Sequence, residues 1–462
     1  MPAQQTGQTM AQMLAHWAAD TGFGDLPDAV VADARLRILD TLGLILGAAD
    51  SPIGRAVRQA ALGMGKGHEA RAFGTGDLLP VGLATLIDGT LAHAADFDDT
   101  HDLSVVHPSA TAVPLALALA QACSLSGAET LLLVALCNEI NCRIGSGAPG
   151  GFHAHGYHPT SVTGTLAVAI TATLTLGGTP AQAVHAAGIS GSQAAGLMEA
   201  FADGTWSKTM HPGWACHSGL AAAALARAGF TGPASILEGR FGLYRSHVQD
   251  PGFDFRPDLV VDGLGQRWEI LATSFKPYPC AHAIHAFVDA ALALRAEHGL
   301  TADTIAGVKA VIGEKYVPLT CEPVAAKLRP ATPTHARASL PYALSVALVK
   351  GGLGPEDYAD TAIADPAVLA LAERFDWDID RDPPGENFRG IVEITTTDGR
   401  MLRHVEPANR GSRANPLSRE DLIAKFRQGT PHLGAGRQLA VIAAIDDLDV
   451  APSIDSLLRA CQ

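Results

Sequence analysis

Residues 93–109 read HAADFDDTHDLSVVHPS and place four aspartates (Asp96, Asp98, Asp99, Asp102) and three histidines (His93, His101, His107) within seventeen positions. Apolar, helix-like sequence stands on both sides of this charge. Carboxylates and imidazoles at such density suit a metal site, an acid–base site or a solvated loop after a helix. No HxxxH, HExxH or facial-triad spacing frames them as ligands, which weighs against metal. His107-Pro108-Ser109 opens a helix, where an imidazole of tuned pKa would be well placed for proton transfer.

Three further stretches share this character. FHAHGYHPTSVTG (152–164) carries His153, His155 and His158 and makes a second His-Pro step into a helix. DGTWSKTMHPGWACHSG (203–219) carries Lys208, His211 and His217, and SFKPYPCAHAIH (274–285) carries Lys276, Tyr278, Cys280, His282 and His285. A single histidine is commonly an ordinary core or surface residue. Clustered in loops that open helices, these point to a shared pocket, and helix N-termini there supply N–H groups and a positive dipole end for carboxylates. Two other patterns are set aside. DWDIDRD (376–382) alternates like a calcium loop, but Arg381 and Asn387 stand where Gly and Glu are required. Cys280, two residues from His282, is read as a structural thiol rather than a nucleophile.

The chain has 462 residues, 47% of them hydrophobic, enough for one large core and a second domain. Aromatics are only 5%, so Ala, Leu, Val and Gly fill the core, which suits closely packed helices. A formal charge of −14 with no Lys/Arg run argues against a nucleic-acid partner. An anionic substrate would need its few cations placed locally against that field. Seven cysteines without a CxxC pair suit a reducing compartment. MPAQQTGQTMAQ lacks the charged and apolar regions of a signal peptide. The uncharged run TSVTGTLAVAITATLTLGG (160–178) contains six Thr and is read as a buried core helix, not a membrane span. The expectation is a cytoplasmic protein without a membrane partner.

These loops need elements to hold them. Up to about residue 270 the pattern is helical. PDAVVADARLRILDTLGLILGA (27–48) follows Asp25 and Pro27 as cap and first-turn pair, and Thr179-Pro180 repeats the device. Helices are also expected near 79–95, 111–124, 128–145, 161–176 and 215–228. No Rossmann fingerprint or P-loop is present. From about 271 the pattern mixes: a helix from Cys280, a strand over 305–313, and a hairpin over 390–406 turning at Asp398-Gly399. Ser418 and Asp421 then cap a helix over 418–428, and a last helix covers Ser453 to Cys461. The predicted class is mainly α. A large all-α domain is built from residues 1–270 plus 405–462, with a smaller α/β (α+β) domain, 271–404, inserted.

DFDDT with HPS, then YHPTS, GTxxKxxHxG and KPYPC…H, resemble the MmgE/PrpD family. PATPTHARASLPYALSVAL (330–348) and RGSRANPLSREDLIAKF (410–426) extend the likeness over nearly the whole chain. Each motif alone is weak; the six in order are specific. The resemblance implies an inserted lid over a helical domain, a homodimer, no metal or organic cofactor, and a pocket between the domains. Members include 2-methylcitrate dehydratase, cis-aconitate decarboxylase and iminodisuccinate epimerase, which move a proton at a carbon next to a carboxylate. By motif, Asp96, Thr100, His107, His158, Lys208 and Tyr342 match pocket residues of decarboxylase-type members, and Lys276 and His211 carry over beside them. The catalytic set implied is His107 and His158 for acid–base work, Lys208 for charge stabilisation, Asp96 to orient a histidine and Tyr342 to donate. Thr100, His211, Lys276, Arg337 and His282 would bind substrate, His282 from a position expected to set specificity. The implied function is a cofactor-independent lyase, dehydratase or decarboxylase, of a small anionic di- or tricarboxylate. An epimerase or isomerase is the alternative, and a metal-dependent hydrolase is less favoured.

Overall fold

The computed structural model describes residues 7–381 and 388–462. Residues 1–6, from the N-terminal stretch, and 382–387, with Asn387 of the rejected calcium loop, lie outside the described residues. The chain is mainly α, with a small mixed sheet. Two principal hydrophobic clusters form. The larger draws on residues 10–270 and 426–460, the smaller on 278–394.

Local capping sets many helix starts. Ser126 with Glu129, Thr179 with Gln182, and Ser418 with Asp421 each exchange side-chain bonds with the other's backbone N–H. The helix Asp28–Ala48 departs from expectation. Pro27 is its N-cap, while the Asp25 carboxylate accepts the Gly22 N–H at 2.8 Å in a separate 3₁₀ turn. The uncharged run forms Pro159–Thr175, buried through Thr173. Thr163, Thr165, Thr171 and Thr173 donate their hydroxyls to carbonyls four residues back, which lets polar side chains sit in a core helix. No helix among the described residues is long and apolar enough to cross a membrane.

Three contacts position the loops of interest. Helices Val81–Ala92 and His211–Arg227 touch through Gly89 and Gly213, where a Cβ on Gly89 would stand 2.6 Å from Gly213 Cα. That approach brings the segment after Ala92 against the loop carrying Lys208. A short antiparallel ladder, Thr100–His101 with Thr273–Ser274, brings in Lys276. Arg37, from Asp28–Ala48, locks this ladder by donating to Asp99 Oδ2 at 3.0 Å and to the carbonyls of Ile270 and Thr273 at 3.2 and 2.6 Å.

In the second cluster the sheet order is Phe375–Ile379, Ile305–Ile312, Gly390–Thr396, Met401–Glu406. The first pair is parallel and the other two antiparallel. The helix His285–His298 packs on the Gly390–Thr396 and Met401–Glu406 strands. Beyond Ile312 the chain passes into a 3₁₀ turn, Glu314–Tyr316, at the cleft between the clusters.

Candidate active site

A cavity of about 420 Å³ is lined by Asp96, Thr100, His107, His158 and Lys208 on one side and by His282 and Tyr316 on the other, with Lys276 also on its wall. The preceding helix stops at Ala92, and Asp96 takes a left-handed φ of 51°, which short polar side chains tolerate. Its carboxylate accepts from Lys276 Nζ at 2.8 Å and Lys208 Nζ at 3.4 Å, and its carbonyl accepts from Lys276 at 3.0 Å. Burial works to raise Asp96, but the Lys208 and Lys276 charges outweigh it and hold the carboxyl well below its usual range. Burial likewise pushes Lys208 down, against the pull of Asp96.

His107 Nδ1 lies 2.7 Å from the Asp99 carbonyl, which can only accept. Nδ1 therefore carries the hydrogen, and Nε2 keeps its lone pair. Thr100 Oγ1 stands 3.2 Å from the same Nδ1, and Thr160 Oγ1 accepts the His107 backbone N–H at 2.9 Å. His158 is the N-cap residue of Pro159–Thr175, with Nδ1 3.0 Å from His211 Nδ1. Its Nε2 is buried with no hydrogen-bond partner among the described residues. The His107 and His158 ring centroids are 5.7 Å apart, and the His93 ring lies 4.8 and 5.3 Å from them. Burial pushes His107 and His158 well below the ordinary imidazole value, so both are neutral near pH 7. Neutral imidazoles with an unspent ring nitrogen at a cavity can exchange protons with a bound molecule.

The structure thus brings together Asp96, Thr100, His107, His158, Lys208 and Lys276. His211 reaches the site only through His158. His282 lies across the cavity, its Nε2 3.2 Å from Asp102 Oδ1 and its ring 4.6 Å from Phe388. Two of the expected site residues, Tyr342 and Arg337, lie outside this cavity. Tyr342 is fully buried in the smaller cluster, and its hydroxyl donates to the Asp357 carbonyl, because its face of Leu340–Lys350 packs inward. Arg337 lines a different cavity, of about 860 Å³, on the far side of the 94–97 loop, where it meets the Ala94 carbonyl at 3.4 Å and lies over Tyr358. The sequence reading missed Tyr316 and Lys315, which line the first cavity. Their signal was a charged–aromatic pair just past an alternating strand. Cys280 is fully buried and its thiol is pushed up by burial, as befits a structural residue.

Nitrogens and oxygens of His93, His107 and His158, and of His93, Asp96, Asp98 and His107, lie within 4.8 Å of one another. His93, common to both sets, is nevertheless committed, although His107 and His158 each keep a free Nε2. His93 spends Nδ1 on Asp98 and Nε2 on Lys208, and a cation here would face the Lys208 and Lys276 ammonium groups. The set suits an anion better than a metal.

The MmgE/PrpD N-terminal domain model matches residues 12–256 and the MmgE/PrpD C-terminal domain model matches residues 278–449. The chain belongs to the MmgE/PrpD family. Among its relatives, the cis-aconitate decarboxylase of Homo sapiens is 26% identical over 461 residues, 94% of this chain and 92% of that protein. The Mus musculus enzyme of the same name is 25% identical, over 94% of this chain and 90% of its own. The cis-aconitate decarboxylase of Aspergillus terreus is 27% identical over 288 residues, 60% of this chain, and the match spans 58% of that relative's length.

Proposed function

We propose that this MmgE/PrpD protein is a lyase acting on a small di- or tricarboxylate, and that it works by proton transfer at a carbon next to a carboxylate. One observation carries the reading: three of the chain's eight lysines, Lys208, Lys276 and Lys315, line the cavity that also holds His107 and His158. In a chain of formal charge −14, that concentration of cations favours an anion. The names of the relatives, cis-aconitate decarboxylase, favour loss of carbon dioxide over return of the proton to the opposite face.

When the bond to a leaving carboxylate breaks, its electron pair stays on carbon and spreads into the neighbouring carboxylate. The ammonium groups of Lys208 and Lys276 stabilise that charge in a site sheltered from water. A proton then reaches the carbon, from Lys208 or through an imidazole, and the double bond is retained. In a dehydration the same groups run differently: neutral His107 or His158 takes the carbon-bound proton as hydroxide leaves. Each route needs acid–base groups and cations, and no step calls for a bound cofactor. Asp96 sets the angle and spacing of both lysines, and Tyr316, a residue of the cavity wall, is assigned the role of donating to a substrate oxygen.

Proton NMR in deuterated water tests the reading, using cis-aconitate, 2-methylcitrate, citrate and iminodisuccinate. Loss of substrate signal with a new vinyl resonance and one deuteron on carbon is the expected result for cis-aconitate. Deuterium entering an unchanged skeleton would replace the lyase with an epimerase.

A further inference from the structure

Behind Lys208 stands a side-chain pair that the reaction above leaves unused. Both Asp98 oxygens approach one nitrogen, His93 Nδ1, at 2.9 and 2.8 Å, and both residues are buried. Two oxygens converging on one ring nitrogen is the geometry of an N–H donating into a carboxylate. His93 Nε2 then holds a lone pair, and it lies 2.9 Å from Lys208 Nζ. An ammonium has three donors and no acceptor, so this lone pair is its complement. Lys208 gives a second N–H to Asp96 at 3.4 Å and keeps the third for the cavity.

We propose that Asp98 and His93 form a buried relay that fixes the His93 tautomer, aims the Lys208 ammonium at the cavity and sets its proton affinity. Both are positioning residues. The proposal rests on the lyase reading only for what Lys208 does to substrate; the tautomer and the affinity stand without it. The groups facing Lys208 come from several segments: Asp96, Asp98, His93 and His107 from the first loop, Lys276 after the ladder, His153 and His158 before Pro159, and His211 from its own loop. Burial holds His93, His107, His153, His158 and His211 below the ordinary imidazole value, so near pH 7 the charges that act on Lys208 are Asp96, Asp98 and Lys276. The direction of the His93 hydrogen bond thus has a measurable share in its affinity.

Two measurements without substrate test this. The first is ¹⁵N NMR of histidine-labelled protein, with the His93 signal assigned through His93→Gln. The expected signal is the tautomer protonated on Nδ1; protonation on Nε2 would overturn the relay. The second is the pH dependence of Lys208 acylation by acetic anhydride, read by peptide mass spectrometry on folded protein. Asp98→Asn removes the negative charge and replaces one of the two facing oxygens with an amide N–H, which weakens the hold on the Nδ1 hydrogen and the bias towards an Nε2 lone pair. His93→Phe removes the acceptor. In both, the labelling midpoint falls by about one pH unit, with roughly tenfold faster labelling below it. His93→Gln restores an acceptor oxygen near the Nε2 position and returns the midpoint towards wild type. A midpoint unchanged in Asp98→Asn and His93→Phe would sink the proposal. Should those variants not fold, the wild-type tautomer decides alone. A protein inactive on every acid in the panel, yet showing these shifts, would overturn the lyase reading and leave the relay standing.

Discussion

Arg143 and Lys208 are both buried cations beside carboxylates, and they are built for opposite ends. Arg143 spends all five N–H groups: Nε on Glu139, Nη1 on the carbonyls of Val260 and Asp262 at 3.3 and 2.9 Å, and Nη2 on those of Gly263 and Arg267 at 3.1 and 2.8 Å. Its partner Glu139 also accepts the Glu269 N–H at 2.6 Å, and burial pushes that carboxyl up to about 7 against the charge of Arg143. Nothing in that cluster is left over for a ligand. Around Lys208 the reverse holds: one N–H faces a cavity, and His158 Nε2 has no partner among the described residues. A buried charge therefore does not mark a site. An unspent donor or acceptor beside a cavity does.

Swapping the two losses is the strongest test. Lys208→Met removes the cation nearest the developing charge, and turnover of the substrate found by NMR is expected to fall about 10³-fold. Its melting temperature should stay close to wild type, since desolvation of the ammonium already offsets much of its pairing. Arg143→Met leaves Glu139 buried and uncompensated, which costs about 3–5 kcal/mol of stability in denaturant titration. The molecules that remain folded should turn over at the wild-type rate. Equal losses of activity per folded molecule in both variants would erase the distinction.

His158→Phe comes next, keeping the ring's volume while deleting its free nitrogen. Turnover should drop about 10²-fold with little change in stability. A value within twofold of wild type would assign the proton transfer to His107 alone.

A pH series separates the regions more gently. Burial holds His93, His107 and His158 below 6.5 in the folded chain, while the unfolded chain titrates them near their ordinary value. Below about pH 6.5 the unfolded state takes up protons that the folded state refuses. Stability should then fall as pH falls, by up to about 1.4 kcal/mol per unit for each such histidine. Turnover that depends on neutral imidazole should stay level through pH 6.5 and decline only well below it. An activity limb centred at 6.5 would point to an exposed histidine instead.

Much of this site could be read in the sequence because its parts are local. The His-Pro steps at 107 and 158 announce helix entries, and DFDDT supplies the carboxylates within one turn of chain. Caps such as Ser418 with Asp421 depend on residues three apart, so their helices were legible too. What stayed hidden depends on which face of an element meets the cleft. Arg337 and Tyr342 lie in one motif, but Arg337 ends the short helix Pro333–Arg337 at a second cavity, while Tyr342 lies on the next helix, Leu340–Lys350, inside the core of the smaller cluster. Tyr316 arrives from a strand more than two hundred residues after His107, and no spacing rule links the two. His93 carried no motif of its own, although its hydrogen bonds tie Asp98 to Lys208.

The smallest effect tests that last difference on a single atom. Tyr342→Phe deletes a hydroxyl whose partner is the Asp357 carbonyl, so it should cost about 1 kcal/mol of stability and leave kcat/KM alone. Tyr316→Phe deletes a hydroxyl at the cavity wall, so stability should hold while turnover falls a few fold, about the worth of one neutral hydrogen bond. Denaturant titration beside steady-state kinetics reads both variants. If the Tyr342 variant loses activity and the Tyr316 variant does not, the smaller cluster must move to bring Leu340–Lys350 to the substrate. The fully buried Tyr342 side chain argues against such a movement, because it would have to break the packing that holds that helix in place.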